Sequence, residues 1–265
     1  MKKYKLIPIV LALVLTLTAI LGSVALHAKP YFYPEYEKLS LESIFEKESL
    51  DEDDYKTLFL QTGLGKYAID SIFGQEHFRE TVLFYQNQFF DEKEYSCKRK
   101  AVITGVEVSE EKTLFAVKSG YVIITSATHS FFWRHGHAGL VLDEDTVLEA
   151  PILSKPAGTY KLEEWSKYPS FIILRLKDAQ DSFLSETAYK AQRKLMGMKY
   201  DPLAAVFNKE KAKRVQCAYL VWRAFYEMGV DVDEGGNNIV TVNDIKNSDS
   251  FEIVQVYGYD PLKLL

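Results

Sequence analysis

Positive charge is in short supply in this chain. Against 37 Asp and Glu stand 32 Lys and Arg, a formal net charge of −5. That balance offers nothing to a phosphate backbone, so nucleic-acid binding is excluded as a partner class. Cysteine is scarcer still, with Cys97 and Cys217 alone among 265 residues. No cysteine directly follows the N-terminal apolar run, which argues against a lipoprotein anchor. Internal repeats and low-complexity tracts are absent, leaving one large domain or two small ones with ample core. The rest is ordinary for a globular protein: 47% hydrophobic, 14% aromatic and 26% charged.

What is present begins with "MKKYK", three lysines ahead of an uncharged run from Leu6 to Leu26. About 20 apolar residues suffice to span a bilayer as a helix. A cleaved signal has a shorter apolar centre followed by small residues. Ala25 and Ala28 each close such a small-residue stretch. Residues 1–28 are therefore expected to be a signal peptide or an N-terminal membrane anchor, with membrane association through residues 6–26. Either way the protein is exported, anchored at the extracellular face of the membrane or secreted. Removing residues 1–28 removes Lys2, Lys3 and Lys5 and no acids, taking the charge from −5 to −8. An acidic body of this kind does not adhere electrostatically to anionic polymers or lipid.

Residues 29–40, rich in Pro and Tyr, read as a linker or extended arm. Residues 41–90 read as helices, one capped by Ser49 with acids in its first turn and a glycine stop. The span 29–97 is thus a helical lead-in. Near residue 98 the texture changes to short β-branched runs with Gly, Asp and Ser breaks: "KAVITGVEVS", "TLFAVKSG", "YVIITSA", "HAGLVL", "TVLEAP" and "SFIILRL". Two helices follow, one ending at Gly197 and one headed by Cys217 with Val221, Ala224, Phe225 and Met228 on one face. After a loop at 230–248, "FEIVQVYGY" reads as a last strand. Residues 98–265 form an α+β unit, a small antiparallel sheet packed with helices.

Three residues in this unit point to chemistry. Cys217 begins a helix, where the positive end of the dipole favours a thiolate; its alternative is a core thiol or a disulfide with Cys97. His137 opens "HAGLVL" and shares a face with Gly139 and Val141. The glycine is expected to leave room beside the imidazole for a substrate. Glu149 lies between Leu148 and Ala150, where a carboxylate needs a partner. An odd register in the "DEDT" turn puts Glu149 opposite Gly139, on the His137 face; an even one separates the two. In the odd register Glu149 accepts from one ring nitrogen and the other is free to take a thiol proton. His129, His135 and His137 also invite a zinc reading, but no further His/Asp motif of ligand spacing accompanies them. No metal is expected. His27 and His77 read as surface residues.

With these pieces placed, the chain resembles the permuted branch of the NlpC-like papain-fold amidases, the YiiX- and YycO-like proteins. "GHAGLVLDEDTVLEAP" looks like that family's base-bearing hairpin, with His137 as base and Glu149 as the orienting residue. "VQCAYLVWRAF" looks like its Cys-headed helix, here after the hairpin, as a circular permutation would leave it. "GMKYDPL" is similar to the "GxxY" segment and puts Tyr200 where a hydroxyl helps hold the oxyanion. Ala218-Tyr219 and Gly120-Tyr121 depart from the family's Ser-Glu and Gly-Asp, and these departures fall on substrate contacts more than on the triad.

The resemblance covers about residues 100–255 and implies a papain-like fold and a Cys217–His137–Glu149 thiol hydrolase without a cofactor. The first substrate class is an amide in cell-wall peptide. The alternatives are acyl transfer or thioester and lipid hydrolysis at the membrane on the same triad, and a non-catalytic binding protein with a Cys97–Cys217 disulfide.

Overall fold

One of the lead-in helices begins where a carboxylate satisfies its first free amides. In the computed structural model, which describes residues 8, 10–18, 31–91, 95–100, 103–108, 111–130, 133–151, 154–203, 208–236 and 238–265, and only the backbone of 95–100, 103–108, 129–130 and 133–134, four helices lead the folded body. They are α1 (Glu42–Phe45), α2 (Glu52–Thr62), α3 (Lys66–Ile72) and α4 (Phe78–Phe89). The cap of α2 is Asp51 and not Ser49: its side chain accepts from the Asp54 amide at 2.9 Å, and the Asp51 amide donates back to the Asp54 carboxylate at 3.0 Å. This reciprocal box satisfies two end donors at once, and a carboxylate gains more there than a serine through the helix dipole.

Among the described residues ten strands follow in chain order: β1 (Tyr95–Lys100), β2 (Ile103–Val108), β3 (Val122–Thr125), β4 (Thr128–Ser130), β5 (Trp133–Arg134), β6 (His137–Val141), β7 (Thr146–Glu149), β8 (Gly158–Lys161), β9 (Phe171–Leu176) and β10 (Phe251–Tyr257). Six of them form an antiparallel sheet in the order β10-β9-β3-β6-β7-β8, and β1-β2-β4-β5 form a second. The fold is therefore α+β, with a six-stranded antiparallel sheet packed with helices. "TLFAVKSG" (113–120) is not a strand. The buried Gln255 side chain holds that segment instead, accepting from the Phe115 amide at 2.7 Å and donating to the Thr113 carbonyl at 3.1 Å.

Strands β3, β6 and β9 are buried along their whole length. Their apolar runs are what a strand covered on both faces requires. Three helices accompany the sheet: α5 (Asp181–Leu195), α6 (Cys217–Tyr226) and α7 (Val242–Lys246). Helix α6 packs against β6 and α5 against α6. All of α6 from Cys217 to Trp222 is buried, with Ala224 and Phe225. Its apolar surface is therefore not one stripe, and a helix apolar all round belongs in the interior. α7 lies in the stretch read as loop, held by a capping box between Thr241 and Asp244.

The lead-in is joined to the sheet by close backbone contact. Gly65 N donates to Val254 O at 3.0 Å and Val256 N to Gly63 O at 2.7 Å, around a bulge between Ile253 and Gln255. Gly63 has φ +73°, and a Cβ there would stand 2.0 Å from the Val256 carbonyl; only glycine ends α2 and lets the chains meet. The open edge of β10 is thereby covered. At the N-terminus residues 10–18 are helical, and no helix among the described residues is long and apolar enough to cross a membrane. Most of the 1–28 segment lies outside the described residues.

Candidate active site

The turn between β6 and β7 fixes which side chains meet. Leu142 N donates to Thr146 O at 2.9 Å, leaving Asp143–Asp145 as the loop, and the Asp145 amide bonds the Asp143 side chain at 3.0 Å. A loop of that odd length pairs Gly139 with Glu149, Leu140 with Leu148 and Val141 with Val147. Glu149 therefore shares a face with His137, and the two meet as diagonal neighbours. The imidazole Nε2 and the carboxylate Oε2 are 2.7 Å apart, with both residues 7% exposed. A charged pair shielded to this degree is geometrically fixed and weakly screened by salt.

Cys217 is the first residue of α6, with 8% exposure and a free thiol. The alternative disulfide with Cys97 is thus not formed at Cys217; the Cys97 side chain lies outside the described residues. Helix α6 packs on β6 and sets Cys217 near His137, close enough for the two groups to bear on each other's proton. Glu149 engages Nε2, so Nδ1 is the ring nitrogen it leaves free. Burial alone would depress the imidazole. The neighbouring Cys217 and the Glu149 carboxylate, which accepts from the ring, outweigh it and hold His137 well above the ordinary histidine range.

Gln216 caps α6. Its side-chain oxygen accepts from the Ala218 amide at 2.8 Å and from the Cys217 thiol at 3.4 Å, while its nitrogen is tied to the Val240 carbonyl. The Cys217 amide makes no hydrogen bond among the described residues, as expected of a first-turn donor. Tyr200 pairs with Val215 in a parallel bridge two residues before the cysteine. Burial first, then the charge at Cys217, push its hydroxyl up, so it remains a neutral donor. Cys217, His137, Glu149 and Tyr200 are therefore neighbours in the fold. His135 Nδ1 bonds the Gly136 carbonyl at 2.6 Å, and the His129 side chain lies outside the described residues. Among the described residues no cluster of His, Cys, Asp and Glu could hold a metal.

Two participants are not visible in the sequence. Gln216 is a poor cap by type, and Trp165 sits in the polar run "LEEWSK", a 3-10 turn far along the chain. Trp165 Nε1 donates to Glu149 Oε1 at 2.7 Å, and its ring lies parallel to the imidazole with centroids 5.2 Å apart. The room expected at Gly139 belongs to this packing and not to a substrate. A Cβ there would meet Val147 Cγ1 at 2.4 Å, Trp165 Cζ2 at 3.1 Å and Glu149 Cγ at 3.3 Å. Gly139→Ala is expected to cost about 1–3 kcal/mol of stability by overpacking, read as a lower urea midpoint; an unchanged midpoint would show that the three side chains have slack.

A cleft of about 660 Å³ opens at the opposite, turn end of the hairpin, beside Asp145, Lys161 and Leu162, and contains none of the Cys217, His137 and Glu149 group. The Cys217, His137 and Glu149 group and this cleft are thus separate, and the geometry of the side chains is the better guide to the candidate site.

No protein-family model and no curated protein matches the chain. Among solved structures, the metalloprotein yiiX from Escherichia coli O157:H7 is similar over 52% of this chain and 96% of its own, at 17% identity and a TM-score of 0.38. That protein falls in the YiiX/YycO-like group, and the likeness goes no further than this coarse correspondence.

Proposed function

We propose that the protein is a cysteine hydrolase of the permuted NlpC-like, papain-fold kind, acting on an amide bond. One observation carries the reading: the buried His137 imidazole is bonded through Nε2 to Glu149, and the free Cys217 thiol at the head of α6 is near enough to raise the ring's proton affinity. Nucleophile, base and orienting group in this order are what covalent acyl transfer requires.

In the proposed reaction His137 holds the thiol proton while the Cys217 sulfur attacks the substrate carbonyl, forming a C–S bond. The Cys217 amide and the Tyr200 hydroxyl donate to the oxygen that gains charge. As the C–N bond breaks, the imidazolium returns its proton to the leaving amine and a thioester remains. Water then gives a proton to His137, attacks the thioester and releases the acid, and the proton goes back to sulfur. Glu149 stays ionised and keeps the ring in one orientation.

For the substrate, residues 6–26 support export, and with it an amide of cell-wall peptide. The second reading puts the same thioester to acyl transfer or lipid hydrolysis at a membrane; exposed apolar side chains on the 10–18 helix, Leu11 and Leu13 among them, favour it. Mass spectrometry of products from muropeptide and acyl-ester panels in ¹⁸O water separates the two. Peptide hydrolysis is expected to place one ¹⁸O in the released acid, and Cys217→Ala to abolish it. Acyl groups passed to an acceptor without ¹⁸O would favour the membrane reading. Turnover that survives Cys217→Ala would overturn both.

A further inference from the structure

The Glu149 carboxylate has two oxygens and both are occupied. His137 takes Oε2, and the Trp165 indole takes Oε1 at the same 2.7 Å. We propose that Trp165 is a positioning residue for this site, fixing the Glu149 carboxylate by its N–H and the His137 ring by stacking, so that the imidazole faces Cys217 in one orientation. The proposal rests on the thiol-hydrolase reading and adds to it a member that comes from neither the hairpin nor the Cys-headed helix.

A carboxylate bonded on one oxygen only can turn about its last side-chain bond, and an imidazole held at one nitrogen can turn with it. Two donors on two oxygens remove the first freedom, and a parallel ring at 5.2 Å opposes the second. Trp165 is itself immobilised. It is 1% exposed, Tyr168 meets its ring edge-on at 5.5 Å, and Gly139 supplies the hollow for its six-membered ring. The turn carrying it is tied down on both sides, by Leu162 N to Asp145 O at 2.7 Å and Lys112 N to Ser166 O at 2.9 Å. The first of these bonds reaches the same β6–β7 turn that sets the His137–Glu149 register. A core tryptophan would need none of this polarity, because its N–H would find a backbone carbonyl as readily as an ionised side chain.

Trp165→Phe keeps most of the ring and removes the N–H. The rate of Cys217 alkylation by iodoacetamide across pH is the readout, in the full chain, for wild type, Trp165→Phe, Glu149→Gln and the double variant. Trp165→Phe is expected to slow alkylation near neutral pH about tenfold, the worth of one hydrogen bond to a charged group. It should also move the His137 limb of the profile towards the ordinary histidine range. Because the indole acts through Glu149, the double variant should be no slower than Glu149→Gln alone. A full second tenfold loss in the double variant, or a Trp165→Phe profile with an unmoved limb, overturns the positioning role. If Glu149→Gln itself leaves the profile unmoved, the triad reading fails instead. Should Trp165→Phe not fold, ¹⁵N-indole spectra of wild type and Glu149→Gln decide. One of the three indole signals must move strongly between them, and three unmoved signals overturn the proposal.

Discussion

Replacing His137 by alanine should slow the alkylation of Cys217 by iodoacetamide about 10²–10⁴-fold at neutral pH, the range over which a positioned acid–base group contributes. The argument is positional. Cys217 is 8% exposed and sits under the first turn of a buried helix. A thiol in such surroundings without a proton acceptor is an inert core residue. In the proposed site His137 is the acceptor, and its raised proton affinity, due to Cys217 and Glu149 acting against burial, favours the imidazolium that forms when it takes the thiol proton. Removing the ring removes both the acceptor and that charge. Mass spectrometry of the labelled chain reads the rate at Cys217 separately from Cys97, so the second thiol does not confuse the result. Equal rates in wild type and His137→Ala would mean that the contact is packing and not chemistry, and the hydrolase reading would fall with it.

How much of this site was legible in the sequence differs from residue to residue for physical reasons. Strand periodicity is strictly two, so the parity of His137 and Glu149 reduces their meeting to one question, the length of the turn between them. The Asp143–Asp145 loop, closed by the Asp143 side chain on the Asp145 amide, answers it. Cys217 was visible because a helix announces its start. Trp165 was not, since nothing local links residue 165 to residue 149; only the third dimension, with a strand and a 3-10 turn intervening, brings the indole to the carboxylate. Gly139 was misread for the same reason. A missing side chain in a strand marks a close approach, but its partner is set by tertiary packing. At element level, the long periodic helices and the buried strands were clear. Residues 113–120 were not, because the Phe115 amide and the Thr113 carbonyl of that segment bond the side chain of the distant Gln255. Likewise α7 is five residues long and depends on its capping box more than on any periodic pattern.

Glu149→Ala is expected to be among the most damaging single changes in the chain. It strips a buried imidazolium of its counter-charge and leaves the Trp165 N–H without an acceptor in the same step. Breaking one side of a buried pair costs about 3–5 kcal/mol, well above the worth of the pair itself. The cost should depend on pH in a stated direction. In the native protein His137 is raised above its ordinary value of 6.5. Its contribution is therefore fully present below that pH and is lost as pH climbs through the raised value. With Glu149 gone, two of the raising causes vanish, burial gains weight, and His137 falls back towards or below its ordinary range. The variant no longer has that contribution to lose. The gap in unfolding free energy between wild type and Glu149→Ala should accordingly be widest near pH 6 and narrow steadily on the alkaline side. Urea unfolding at a series of pH values measures it. A gap that is constant with pH would mean that the carboxylate supports the fold by shape alone. A gap below about 1 kcal/mol, the size of an exposed ion pair, would mean that the pair is open to water. Either result would remove the electrostatic basis on which His137 is held ready beside Cys217.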